Sequence, residues 1–233
     1  MNELYLQGLS IDWDLVESNS YARDISALKN LSDMTFSAPI TFLVGENGSG
    51  KSTLLEAIAI ALGFNAEGGT RNYNFKTFDD EYPLSGAINL IKGYRRIRFG
   101  YFFRAETFYN AATAAIDYES ADYHSNSHGE GSMRFLLFNR PGLYLMDEPE
   151  AALSPSRQLE LVGHIHSLAR RGSQFIIATH SPILLGTPGA QILSFDPDGI
   201  VPVEYESTQS YIITKRFLCN RQAVLNTLLE GEE

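Results

Sequence analysis

The chain has 233 residues, with 18 Lys+Arg against 28 Asp+Glu for a formal net charge of −10, and it is 44% hydrophobic and 20% charged. This balance describes a globular protein with a sizeable core; it excludes a mostly disordered chain and argues against a generic polyanion binder. The one cysteine, Cys219, excludes an intrachain disulfide framework and any multi-cysteine zinc site.

Taken in chain order, Met1-Asn2-Glu3 is not a basic leader, and Asp12 and Asp14 break the apolar stretch that follows. Leu4 to Leu6 with Leu9 and Ile11 read as strand. Ile40 to Val44 is an uninterrupted, mostly apolar run, as expected of a strand buried on both faces. Leu54, Leu55, Ile58, Ala61 and Leu62 recur at helical spacing and predict a helix over Ser52–Leu62. Residues 63–89 read as loops and short strands. A strand over Arg96–Phe103, a helix over Glu106–Ile116, a polar loop over Asp117–Gly131 and a helix from Met133 to Phe138 follow. Leu143 to Met146 reads as a buried strand and Ser156 to Arg170 as a helix. Ser173 to Phe195 contains no Asp, Glu, Lys or Arg, but Ser181-Pro182, Gly186, Pro188 and Gly189 split it into two strand-length pieces rather than a membrane span. An edge strand at Val201–Tyr205 and a helix near Arg216–Leu229 complete the chain. Strands alternating with helices predict an α/β fold with a mainly parallel sheet flanked by helices, in a cytoplasmic protein without a transmembrane segment.

Two motifs carry chemistry. Gly45-Glu46-Asn47-Gly48-Ser49-Gly50-Lys51-Ser52 fits the phosphate-loop pattern GxxxxGK[ST], between a predicted buried strand and a predicted helix. Small residues let backbone N–H groups close around a β-phosphate, and the helix N-terminus adds a favourable dipole. Lys51 reaches the β/γ-phosphates and Ser52 Oγ can ligate Mg²⁺; Thr53 completes the segment. Leu143-Tyr-Leu-Met-Asp147-Glu148 then puts two acids at the end of a buried strand, where the ligand crevice of a parallel sheet lies. Asp147 would hold Mg²⁺ through water, and Glu148 would orient or deprotonate an attacking water. The pair of motifs points to binding and hydrolysis of a nucleoside triphosphate.

With these residues in place, the sequence resembles the ATP-binding-cassette (ABC) ATPases over nearly its whole length. It is most similar to the soluble branch that holds the SMC, RecF and overcoming-lysogenization-defect ATPases, and within that to compact stand-alone bacterial ATPases. The resemblance implies a P-loop NTPase head over residues 1–233 as one domain, with an antiparallel N-terminal β region and a helical signature subregion at about 104–140. It implies ATP and Mg²⁺ as ligands and a nucleotide-dependent homodimer. Ser127-His-Gly129-Glu130-Gly131 resembles the signature segment that binds the γ-phosphate held by the other subunit, with Glu130 where many transporters have Gln. Thr179-His180-Ser181-Pro182 matches the switch histidine that contacts the γ-phosphate and the attacking water. Glu150-Ala-Ala-Leu-Ser154-Pro155 resembles the dimer-contacting D-loop, with Ser154 in place of the usual Asp. Gly100-Tyr-Phe-Phe-Arg104-Ala-Glu106 lies where the glutamine loop ends a strand; Glu106 is the candidate metal contact and Arg104 a candidate phosphate contact, with a packing or salt-bridge role the alternative for both.

Tyr21 and Arg23 are the candidates for stacking against the base. His124, His128, His164 and His166 do not form a metal set, since His164 and His166 lie two apart on a predicted helix and face different ways. Three functions compete: a soluble ABC-type ATPase driving a DNA repair, maintenance or defence partner, the nucleotide-binding subunit of a membrane transporter, and a P-loop small-molecule kinase. The kinase reading explains neither His180 nor the Ser127–Gly131 segment. Nucleic acid is a further candidate partner. No coiled-coil arm lies between Ser52 and Ser127, so contact with it falls to short loops such as Lys92–Arg98, which reads first as a basic strand face.

Overall fold

A computed structural model describes residues 3–29, 31–70, 84–105, 140–151 and 153–229. The described strands form two sheets. The smaller, antiparallel sheet has the order β2-β1-β5, from β1 (Leu6–Ile11), β2 (Asp33–Thr35) and β5 (Ile88–Lys92). The larger sheet has the order β10-β9-β3-β8-β7-β6-β4. Its five central strands, β9 (Gln191–Asp196), β3 (Ile40–Val44), β8 (Gln174–Ala178), β7 (Leu143–Asp147) and β6 (Gly100–Arg104), run parallel. Antiparallel strands β10 (Gly199–Pro202) and β4 (Gly69–Thr70) close the two edges.

Side-chain alternation along the central strands divides the interior into two cores, as the period of two requires. Leu43, Leu145, Ile176, Ala178 and Leu193 face one side, where α1 (Lys51–Ala61) and the antiparallel sheet pack on them. Phe42, Val44, Tyr144, Met146, Phe175 and Ile177 face the other, covered by α2 (Pro155–Arg170) through Leu161, Ile165 and Leu168 and by the short α3 (Pro182–Leu185). Every residue of β3 and β8 is buried, which accounts for their largely apolar sequence, with Thr41 and Gln174 the polar residues in them. One polar exception is functional to the packing. The buried Gln174 side chain accepts from Leu6 N–H at 2.9 Å and donates to Leu6 C=O at 2.7 Å. It thus stands in for a strand partner next to the register shift between Leu6 and Gly8 and ties the two sheets together.

The charge-free segment at 173–195 is resolved into β8, α3 and β9, and no helix among the described residues is long and apolar enough to cross a membrane. Elsewhere the boundaries move. The predicted strand at 96–103 begins only at Gly100, and the edge strand predicted at Val201–Tyr205 is β10, at Gly199–Pro202. The single terminal helix is two, α4 (Gln209–Cys219) and α5 (Arg221–Leu229). The predicted helices at 106–116 and 133–138 and the loop at 117–131 lie outside the described residues.

Candidate nucleotide-hydrolysis site

The parallel strands β3, β8 and β7 lie side by side, with Leu43 and Asp147 both paired with Ala178. Their C-terminal ends therefore deliver the Gly45–Ser52 loop, the Thr179–Ser181 turn and the Asp147–Glu148 pair to one edge of the sheet. The loop closes because its glycines take positive φ, 144° at Gly45, 78° at Gly48 and 96° at Gly50. A Cβ on Gly50 would lie 2.7 Å from Ile25 Cγ2, so this glycine is also demanded by the close approach of the segment that follows Tyr21–Asp24.

Lys51 is the first residue of α1 and is only 5% exposed. Its ammonium donates to Gly45 C=O at 2.9 Å and Glu46 C=O at 2.8 Å, bracing the loop from within. Burial lowers its pKa from the ordinary lysine value, and the negative charges of Glu148, Asp147 and Glu150 oppose that shift. Next to it, Ser52 Oγ donates to Asp147 Oδ1 at 2.9 Å, joining the two motifs directly across β8.

Glu148 has φ 47°, the single left-handed non-glycine among the described residues. Its N–H donates to Ala178 C=O at 2.9 Å, so the neighbouring strand holds the backbone in this strained conformation. The turn lifts the carboxylate off the sheet edge toward His180, whose Nε2 lies 4.0 Å from Glu148 Oε1. His180 is positioned from behind by Glu150, which sequence reading placed only in the D-loop segment. Glu150 Oε1 accepts from His180 N–H at 2.7 Å, while Glu150 Oε2 and His180 Nε2 are buried without a hydrogen-bond partner among the described residues. Two unpartnered polar atoms beside the Ser52–Asp147 pair mark a place where a polar ligand is wanted. The rest of the turn is fixed by Ser181, which donates to Gln158 Oε1 at 2.6 Å and caps α3 through Ile183 and Leu184 N–H. Replacing Glu150 by Ala should therefore leave triphosphate affinity within about twofold but lower kcat by about tenfold or more, as a positioning residue would, and KM measured beside kcat checks the split.

A cavity of about 1000 Å³ opens beside the loop. Tyr21, Ile25, Gly45–Ser49, His180, Phe195 and, from α4, Gln209, Ser210 and Ile213 line it. Tyr21 belongs to a 3₁₀ turn, Tyr21–Asp24, and is 55% exposed at this cavity. Arg23 is directed elsewhere. Its guanidinium donates to the carbonyls of Trp13, Val16 and Glu17 and is not among the groups lining the cavity. Arg104 pairs with Glu56 on α1 and donates to Ala66 C=O, which is the salt-bridge alternative for that residue. Ser154 N-caps α2, accepting from Arg157 N–H with Pro155 in the first turn, a task for which Ser serves as well as Asp. Glu106, Ser127, Gly129 and Glu130 lie outside the described residues.

Comparison with known proteins agrees with this architecture. The family model for an AAA domain matches residues 20–127, and one described as "AAA domain, putative AbiEii toxin, Type IV TA system" matches 131–186. Structural maintenance of chromosomes protein 6 of Takifugu rubripes is 42% identical over 61 residues, which are 26% of this chain and only 6% of that protein. A protein of Methanosarcina acetivorans named "Putative ABC transporter ATP-binding protein" is 26% identical over 197 residues, covering 70% of this chain and 71% of its own. The fold matches the SMC head domain from Thermotoga maritima with a TM-score of 0.52 at 16% identity, over 86% of this chain and all of the other. Phosphate loop, acid-tipped neighbouring strand and matched segments agree: the chain is similar to AAA-domain proteins over residues 20–127 and 131–186 and has the fold of an SMC head domain.

Proposed function

We propose that this chain binds ATP with Mg²⁺, dimerises around two such nucleotides and hydrolyses them to drive a protein partner in DNA repair, maintenance or defence. The observation that carries the hydrolysis is the meeting of Ser52 Oγ and Asp147 Oδ1 at 2.9 Å beside Glu148 and His180. Ser and Asp oxygens are hard donors that suit Mg²⁺. Among the described residues no group of three His, Cys, Asp or Glu could hold a metal alone, so phosphate oxygens would complete the ion's shell. When bound, Mg²⁺ would neutralise charge on the β/γ-oxygens.

The chain's own groups supply the rest. Loop N–H groups and Lys51 hold the phosphates, and the cavity beside them takes the nucleoside against Tyr21 and Ile213. Glu148 accepts a proton from the attacking water, and His180, set by Glu150, donates to the γ-phosphate or the water. Ser127, Gly129 and Glu130 would contact the nucleotide of the partner copy, with Glu106 near the metal. A cytoplasmic location goes with this reading. The likeness to an SMC head and to an SMC protein supports a DNA-related role. A transporter subunit is the second reading, favoured by the name of the archaeal relative.

Sedimentation of the wild-type chain with and without ATP and Mg²⁺, beside phosphate release, tests the proposal. A monomer that becomes a dimer only with nucleotide and releases phosphate is the expected result. A persistent monomer that still hydrolyses ATP would remove the composite site, and phosphorylated product in place of free phosphate would favour the kinase reading. Co-purification with a multispan membrane subunit would favour the transporter.

A further inference from the structure

At the end of the sheet opposite the phosphate loop, the acidic chain gathers its positive charge. Of its 18 Lys+Arg, seven lie here: Lys92, Arg95, Arg96, Arg98, Arg140, Arg170 and Arg171. They come from three separate stretches of sequence, so the fold adds Arg140, Arg170 and Arg171 to the four cations of the short Lys92–Arg98 cluster seen in the sequence. The starts of β6, β7 and β8 bring them together: Gly100 pairs with Leu143, and Leu143 with Gln174. Arg95 is the keystone, donating to Gly172 C=O, Glu3 C=O and Tyr5 Oη while its guanidinium lies 4.4 Å from the Tyr5 ring centroid. Tyr144 Oη donates to Arg140 C=O, and its hydroxyl feels the charge of Arg171.

The other six cations are exposed. Arg170 and Arg171 have a local reason, since they end α2 and meet the negative end of its dipole. Lys92, Arg96, Arg98 and Arg140 have no such reason, and none of them forms an ion pair among the described residues. Three shallow depressions of about 350, 400 and 420 Å³ run between these side chains, and among the described residues Glu3 is the single carboxylate lining them. Four neighbouring like charges, Lys92, Arg96, Arg98 and Arg140, are held together at a repulsive cost that a polyanion would relieve. Tyr94, 66% exposed among the cations, offers an aromatic surface to a sugar or base.

We infer that this face binds the phosphate backbone of a nucleic-acid duplex. It lies about 15 Å from the nucleotide site, the length of a five-residue strand, so both ligands can be held at once. The inference deepens the partner side of the reading above but rests on this face alone, and binding is therefore measured without nucleotide.

The experiment is fluorescence anisotropy of the full chain with labelled duplex DNA of about thirty base pairs, over about 50 to 200 mM salt. The expected log–log salt slope is about −4, from four to five phosphate contacts. The triple variant Arg96→Glu/Arg98→Glu/Arg140→Glu should weaken binding at least about 30-fold and flatten the slope by about 3. A control with the same charge change on other faces, Arg157→Glu/Lys215→Glu/Arg221→Glu, should stay within about threefold of wild type. Equal thermal midpoints for the two variants would establish that both fold. Duplex RNA bound as tightly as DNA would support backbone contact. Absence of duplex binding at low salt, equal loss in the control, or binding to phosphatidylserine vesicles in place of duplex would each overturn the inference. Phosphate release by the same variants without DNA is a separate reading: its failure would count against the ATPase proposal and leave this face untouched.

Discussion

Substituting Lys51 by Met should abolish ATP binding, with affinity down by about 100-fold or more, while the thermal midpoint stays within a few degrees of wild type. The ammonium donates to the Gly45 and Glu46 carbonyls and feels the charges of Glu148, Asp147 and Glu150. Burial works against its charge, so its standing contribution to the fold is small: what the two carbonyl bonds provide, desolvation largely removes. A triphosphate reverses that balance by adding charge-assisted acceptors, each worth about 1.5–3 kcal/mol when lost. Removing the amine therefore strikes binding far harder than folding. Lys51→Arg should not rescue, because a planar guanidinium cannot occupy a pocket only 5% exposed and closed by two backbone carbonyls. Calorimetric ATP titration beside a thermal melt reads both quantities. Tight ATP binding by Lys51→Met would remove this lysine from the site.

The sequence made the centre of this molecule readable and left its margins unreadable, for physical reasons. Ile40–Val44 and Leu143–Asp147 are strands buried on both faces, so they are mostly apolar and the loop and acids that end them stand out. β2 has no such pattern, since only Met34 of its three residues is buried. α4 has no buried residue at all, so no face of it carries a period, yet the fold lays its first turns beside the phosphate-loop cavity. Glu150 was visible as a residue but not as the acceptor of the His180 N–H, because that bond spans thirty positions and depends on β7 and β8 being neighbours. The same adjacency assembles the basic face from three stretches of sequence. Arg23 shows the converse: a cation near an aromatic in sequence suggested a ligand, and three nearby backbone carbonyls claim it instead.

Glu148 separates chemistry from stability in one position. The Glu148→Gln variant should bind ATP with wild-type affinity, lose about 100- to 10,000-fold in kcat, and accumulate as an ATP-bound dimer, because the amide keeps the side chain's size but cannot take a proton from water. Its thermal midpoint should not move, since the backbone at φ 47° remains as strained with Gln as with Glu. Glu148→Gly should lose turnover to the same extent yet gain about 1 kcal/mol of stability, as glycine adopts the left-handed conformation without the Cβ clash. The two variants thus share a kinetic defect and differ in melting. That pattern would locate the catalytic loss in the carboxylate and the stored strain in the backbone that presents it. If both variants melted alike, the strain would carry no measurable cost. If Glu148→Gln turned over at the wild-type rate, the proton would go to another group, and Glu150, whose Oε2 is buried without a hydrogen-bond partner, would be the first to examine.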